Sequence, residues 1–421
     1  MVDKIFNMYD LIFCITNTEN LINNEVSNHN RKVAYLSFRI AERLGFSLEQ
    51  QRDVLLAGLM HDVGVFSFRD KLALIDNEDI EGVHKHAFIG ASVLEGYLPL
   101  KDIANIIRYH HIPWQKSKGR RFNGLMVPLA SHIVHLADRI VVMIKRDQDI
   151  LGQIKNICEK VKTQSGDVFS PELVDAFLEI SDKEYVWLDI VYEPLMTIMP
   201  SIMNFETIEL GVDEAISLSR VFSNIIDFRS SFTANHSAGV AAVAQKLAEL
   251  SGFSEKECKM MLIAGYLHDL GKLAVSKEIL EKLDKLDAEE YNSIKSHTFY
   301  TFRTLQTIKS FETINKWASY HHERMDGRGY PFHLRAESLP LGSRIMAVAD
   351  VVTAITENRP YRIGMEHNQA VTVIKNLVSN GGLDPYTVDI LLDNFELVND
   401  TRHAAQILSE KQYRKLNEIN I

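Results

Sequence analysis

Apolar residues recur along this chain at helical spacing. Val33, Ala34, Leu36, Ile40, Ala41 and Leu44 share one face, which predicts a helix from Ser27 to Gly45, capped by Ser27 or Asn28 and closed by Gly45. A second helix starts near Ser47 and Glu49 and runs through Val54–Met60 into His61-Asp62. Further helical segments fall around His86–Gly90, from Ile103 to His111 and from Pro128 to Ile144, and Ser170-Pro171-Glu172 is a helix start with proline in its first turn. Lys259–Leu270 reads as a helix that carries His268-Asp269 at its end. Ser181–Val212 holds Trp187, Tyr192, Met196, Met199, Pro200 and Met203, and reads as a helical connector packed between domains. The tail from Thr401, rich in Lys, Glu and Gln, is expected to be an exposed helix.

One order of polar residues runs through this apolar pattern twice. His29, His61-Asp62, His86, His110-His111 and Asp138 are followed by His236, His268-Asp269, His297, His321-His322 and Asp350. The intervals are 32, 25, 24 and 28 residues in the first set and 32, 29, 24 and 29 in the second. Ser170-Pro171-Glu172-Leu173-Val174 is echoed by Asp384-Pro385-Tyr386-Thr387-Val388. This is duplication of one all-helical module. A lone histidine on an apolar helix is usually a satisfied core residue, and His84, His132, His135, His333, His367 and His403 show no comparable order. Core packing alone would not favour seven costly polar groups in fixed order.

Length and composition narrow the reading. At 421 residues the chain predicts two domains. With 46% hydrophobic and 24% charged residues it reads as a globular protein. A net charge of −10 with no basic tail excludes wholesale binding of nucleic-acid polymers or anionic membranes, so any phosphate site must be locally positive. Cys14, Cys158 and Cys258 lack zinc-knuckle or disulfide spacing, which fits a reducing compartment. No stretch approaches a membrane span and no leader is apparent, so a cytoplasmic location is expected.

The second set points to metal chemistry. Adjacent imidazoles at His321-His322 run into a loop, Asp326–Pro331, whose Asp-Gly and Gly-Tyr-Pro steps cannot be helical. His236, His268 and Asp350 would serve one ion and His297, His321 and His322 another, with the two oxygens of Asp269 bridging them. Imidazole and carboxylate without thiolate suit iron, manganese, zinc or nickel. Two such ions polarise a phosphoryl group and acidify a water, so no serine or cysteine nucleophile is required. Lys272 is placed to offset phosphate charge, Arg359 and Arg362 to meet non-bridging oxygens, and Glu323 either to orient a ligating histidine or to form a loop ion pair.

These residues resemble the HD-GYP family, the cyclic-diguanylate phosphodiesterases of the HD superfamily. The match runs from His236 to Leu397 and includes His268-Asp269-Leu270-Gly271-Lys272, His297, His321-His322, Asp326–Pro331, Arg344-Ile345, Asp350 and Arg359–Arg362. The resemblance implies an all-α fold of two tandem HD domains, a di- or trinuclear iron or manganese site, and a role in bacterial signalling. It also implies hydrolysis of cyclic di-GMP to pGpG and onward to GMP, with 3′,3′-cyclic GMP-AMP or a linear nucleotide as the alternative substrate. A non-catalytic cyclic-dinucleotide receptor is the alternative of another class. By position, Asp269 and Lys272 are the catalytic pair, and Lys272, Tyr330, Arg359 and Arg362 the nucleotide-binding residues.

Two positions depart from the family. Phe232 stands where members with a third metal carry glutamate, so two ions are expected, and Thr353 replaces an aspartate three residues after Asp350. The expected domains are a divergent HD-like module at 1–185, a connector at 186–225 and the phosphodiesterase at 226–421. The first module keeps its own seven candidate ligands, a candidate second metal site. It has Val65 in place of the lysine and no Gly-Tyr-Pro, so it is expected to regulate the second. A second copy of the chain and a regulatory protein are the candidate partners besides substrate.

Overall fold

The computed structural model describes residues 6–19, 28–65, 83–192, 207–228, 235–282, 284–358 and 362–417. Its helices are α1 (Met8–Glu19), α2 (His29–Arg43), α3 (Leu48–Met60), α4 (Val83–Leu94), α5 (Lys101–Arg108), α6 (Leu129–Met143), α7 (Ile150–Thr163), α8 (Pro171–Ser181) and α9 (Glu184–Val191). There follow α10 (Val212–Phe228), α11 (His236–Leu250), α12 (Glu255–Leu267), the single turn α13 (Lys277–Leu280), α14 (Ala288–Leu305), α15 (Glu312–Ser319), α16 (Leu341–Thr356), α17 (His367–Ser379), α18 (Pro385–Asp393) and α19 (Phe395–Asn417). Strand structure among the described residues is confined to two-residue pairs, so the fold is all-α, as the periodicity predicts.

The chain divides into two compact units, one of residues 23–206 and the other of 1–22 with 207–418. By this division residues 1–22 group with 207–418, whereas the expected first domain runs from 1 to 185. Phe6 pairs across an antiparallel bridge with Leu210 and meets the Phe311 ring edge-on at 5.2 Å. From α1, the Cys14 thiol donates to the Thr304 carbonyl at 3.6 Å. The connector also departs from expectation. Trp187 on α9 is 1% exposed, packs against Phe177, and donates its indole N–H to the Ser181 carbonyl at 2.9 Å. It is core of the first unit; Met196, Met199, Pro200 and Met203 lie outside the described residues.

The duplicated sequence produces duplicated local structure. Ser47 caps α3 in a reciprocal box with Gln50, and Ser254 caps α12 in the same box with Glu257. Each of these helices packs on its predecessor through a glycine. A Cβ on Gly58 would lie 2.7 Å from the Ala34 Cα, and one on Gly265 2.4 Å from the Ala241 Cα. Past the His-Asp step, a Cβ on Gly64 would meet the His86 carbonyl oxygen at 2.1 Å and one on Gly271 the His297 carbonyl oxygen at 1.9 Å. Glycine there lets the turn after each His-Asp pair lie directly on the helix that carries the next histidine. Ser131 and Ser343, each three residues after the proline before α6 or α16, donate to Ile106 and Lys316 carbonyls at 2.8 and 2.9 Å.

The tail helix is exposed on one face, as expected, but not on the other. Arg402, Gln406 and Ser409 of α19 are buried, and the helix packs along α11.

Candidate metal centre

Helix ends build the centre of the second unit. Helix α12 stops at Leu267, His268 occupies its C-terminal cap, and Asp269 precedes a 3₁₀ turn over Leu270–Ala274. The last carbonyls of a helix lack intrahelical donors. The His268 Nδ1–H fills one of them by donating to the Gly265 oxygen at 2.8 Å. At the end of α15 the His321 Nδ1–H donates to the Ala318 oxygen at 2.6 Å, and within α14 His297 does the same to Ile294 at 2.5 Å.

These bonds fix tautomers. A carbonyl can only accept, so each Nδ1 carries the proton, and the neutral rings of His297 and His321 are left with a bare lone pair on Nε2. Burial pushes the His297 pKa down to about 3 and holds His321 well below the ordinary histidine value. Yet the His297 and His321 Nε2 atoms face each other at 3.3 Å. Two opposed, buried lone pairs are an unfavourable arrangement that a cation between them relieves. The donor set thus fits a metal ion.

The remaining candidates close around these two. Asp269 Oδ1 is 3.5 Å from His297 Nε2, and its Oδ2 is 3.1 Å from His268 Nε2 and 2.5 Å from Lys272 Nζ. His236 Nε2 lies 3.1 Å from Asp350 Oδ1. Three overlapping sets, His236/His268/Asp350, His268/Asp269/His321 and His297/His321/His322, each bring their ligand atoms within 4.8 Å of one another. Burial opposes charge on Asp269 and Asp350, but the neighbouring histidines, and Lys272 beside Asp269, hold both carboxyls well below the usual range. Burial likewise opposes the His236 cation, but Glu357 and Asp350 on its two sides hold its pKa at about 10.

The substrate-facing candidates are placed less uniformly. The Tyr330 ring lies over His322 at 4.9 Å, and Lys295 Nζ sits 5.6 Å from its centre. Arg362 donates to the Ala354 carbonyl at 2.5 Å, at the end of α16. Arg359 and Phe232 lie outside the described residues. Glu323 serves neither of the roles expected of it. It is buried and accepts the Phe332 and Leu334 amides at 2.7 and 2.9 Å, pinning the loop that presents Tyr330. Glu323→Ala is expected to cost about 2–4 kcal/mol, the worth of two charge-assisted hydrogen bonds less partial solvation. Thermal unfolding reads this, and the Gly-Tyr-Pro loop becomes susceptible to proteolysis.

The sequence also gave no sign of Glu357, Asp227, Gln406 or Lys295. Asp227 is buried and accepts the Ser237 hydroxyl and amide at 2.7 and 3.3 Å, tying α10 to the start of α11 beside His236; burial pushes its carboxyl up to about 7.

The first unit repeats the arrangement. His29 Nε2 is 2.9 Å from Asp138 Oδ1, and His61 Nε2 and His86 Nε2 are 3.4 and 3.6 Å from Asp62 Oδ1. His86 and His111 bring their Nε2 atoms to 3.2 Å. His110 donates its Nδ1–H to Ile107 at 2.7 Å, and its buried Nε2 has no hydrogen-bond partner among the described residues. Two sets, His86/His110/His111 and His29/His61/Asp62, gather their ligand atoms within 4.8 Å.

HD domain models match residues 26–143 and 220–386. A Vibrio cholerae protein named 3′3′-cGAMP-specific phosphodiesterase 1 is 32% identical over 397 residues, covering 92% of each chain. A cyclic di-GMP phosphodiesterase response regulator of Xanthomonas campestris is 36% identical over 187 residues, 44% of this chain and 49% of that one. The crystal structure of a cyclic GMP-AMP specific phosphodiesterase from V. cholerae superimposes with a TM-score of 0.63 at 21% identity, over 93% of this chain and 98% of that chain. The chain belongs to the HD-GYP family of metal-dependent phosphodiesterases, in the branch with tandem HD domains. No described helix is long and apolar enough to cross a membrane.

Proposed function

We propose that the second unit hydrolyses a cyclic dinucleotide, with 3′,3′-cyclic GMP-AMP ranked ahead of cyclic di-GMP. The observation that carries hydrolysis is the pair of opposed Nε2 lone pairs on His297 and His321, beside a carboxylate whose two oxygens face different histidines. A receptor that only grips a nucleotide has no use for that arrangement. The ranking rests on a relative that covers 92% of the chain and whose name specifies cGAMP, whereas the cyclic di-GMP relative cited above aligns over less than half.

His236, His268, Asp269, His297, His321, His322 and Asp350 would hold two divalent ions, iron or manganese before nickel or zinc. When bound, the ions supply Lewis acidity and an acidified water. The protein's own residues supply the rest. The backbone carbonyls of Gly265, Ile294 and Ala318 hold three imidazoles in the ligating tautomer. Lys272 Nζ, 22% exposed along its side chain and already beside Asp269, neutralises a non-bridging phosphate oxygen. Tyr330 and Lys295 offer a ring and a cation at the mouth, where a purine and its phosphate would lie. Arg359 and Arg362 are kept as candidate phosphate contacts.

The first unit is read as a metal-binding regulatory domain. Its ligand set is complete, but Val65 stands where Lys272 does and nothing replaces Tyr330.

The test is an anaerobic assay of the full chain with Fe(II) or Mn(II) against 3′,3′-cyclic GMP-AMP, cyclic di-GMP and the linear dinucleotides, with chromatographic separation of products. The expected result is linearisation of the mixed cyclic dinucleotide at a higher kcat/KM than cyclic di-GMP. A metal-loaded protein that binds these ligands and cleaves none of them would make it a receptor.

A further inference from the structure

The family's aspartate three residues after the last ligand is replaced here by Thr353, whose buried hydroxyl has no hydrogen-bond partner among the described residues. A ligating imidazole needs a partner on its far nitrogen to fix its tautomer and aim. One turn along the same face of α16, at the residue following the helix, stands Glu357. Its backbone amide donates to the Thr353 carbonyl at 2.9 Å, and both its carboxylate oxygens lie 3.2 Å from His236 Nδ1. We infer that Glu357 is the positioning residue for His236, supplying from one turn further on the carboxylate that position 353 lacks, and that α19 locks it in place through Gln406. This rests on the reading of His236 as a metal ligand.

The geometry is one continuous buried relay. A carboxylate can only accept, so His236 donates from Nδ1 and directs Nε2 towards Asp350, 3.1 Å away. Behind it, Gln406 Nε2 donates to Glu357 Oε2 at 3.0 Å. Arg402 donates to the Gln406 amide oxygen and holds Asn399 Oδ1 at 2.9 and 3.1 Å. Glu357, Arg402 and Gln406 are all buried. The relay needs room beside α11, and Gly239, three residues after His236, provides it. A Cβ there would lie 2.9 Å from Gln406 Nε2 and 3.0 Å from Thr353 Cγ2. A tail helix read as exposed from its composition thus carries a buried amide that meets Glu357 and a buried guanidinium that holds that amide.

The experiment measures Mn(II) affinity of the full chain, by the electron paramagnetic resonance of free ion, for wild type, Glu357→Gln, His236→Ala and the double variant. Glu357→Gln keeps the side-chain volume, and the melting temperature of the metal-free proteins separates loss of fold from loss of affinity. The expected loss is about 10- to 100-fold for Glu357→Gln in the wild-type background, and less than about 2-fold once His236 is gone, because the glutamate then has nothing to aim. Gln406→Met is expected to give a smaller loss of the same kind. Wild-type affinity in Glu357→Gln, or an equal loss with and without His236, overturns the inference. A wild-type chain that binds no Mn(II) would instead refute the metal-centre reading itself.

Discussion

Asp269→Ala is expected to abolish cyclic-dinucleotide hydrolysis, lowering kcat by at least about 1,000-fold, and to lower the metal content of the second unit. Both oxygens of this buried carboxylate are engaged, one towards His297 and the other towards His268 and Lys272, so no single neighbour can replace it. A Lewis-acidic centre contributes several kcal/mol of transition-state stabilisation, and each 1.36 kcal/mol is a factor of ten in rate. The substitution also leaves the Lys272 ammonium without its counter-charge in a pocket already lined by imidazoles. Steady-state kinetics together with metal analysis of the same preparation check both parts. Retained turnover, or full metal content, would place the chemistry elsewhere.

Lys272→Met is expected to separate the two properties. The apolar isostere removes the cation and keeps most of the volume, so kcat/KM should fall about 100- to 1,000-fold, the cost of losing one preorganised group that stabilises transition-state charge. Metal content should be unchanged or higher, because the ammonium 2.5 Å from Asp269 Oδ2 competes with a cation for that oxygen. If the lysine acts on the transition state, kcat falls; if it only gathers substrate, KM alone rises. Loss of metal in Lys272→Met would instead make the residue a support for Asp269.

Much of this was legible in the chain itself because it depends on local rules. Ser47 marks a helix start by cap chemistry, and the helix begins there, whereas the helix read from Lys259 begins four residues earlier, at Glu255 behind the Ser254 cap. The ordered histidines and aspartates could be paired between modules by counting, and the structure brings both sets into compact clusters. What was not legible depends on contacts distant in sequence. Nothing near Cys14 or Phe6 says that α1 packs beside Thr304 and Phe311 rather than with the helices that follow it. Glu357 reads as an ordinary residue at a helix end until His236, 121 positions earlier, is seen against it. Gln406 sits among solvating residues, and its burial becomes intelligible only when its amide is seen in the space over Gly239. Glu323 was noticed for its place beside two histidines, whereas its partners are amides nine and eleven residues on.

The measurement that bears most directly on the central claim is anomalous diffraction at the manganese or iron edge from crystals of the loaded protein. The arrangement of His236, His268, Asp269, His297, His321, His322 and Asp350 predicts two peaks about 3.5–4 Å apart within that cluster, one of them between the Nε2 atoms of His297 and His321. Density for ions elsewhere on the chain, with none among these seven side chains, would contradict it.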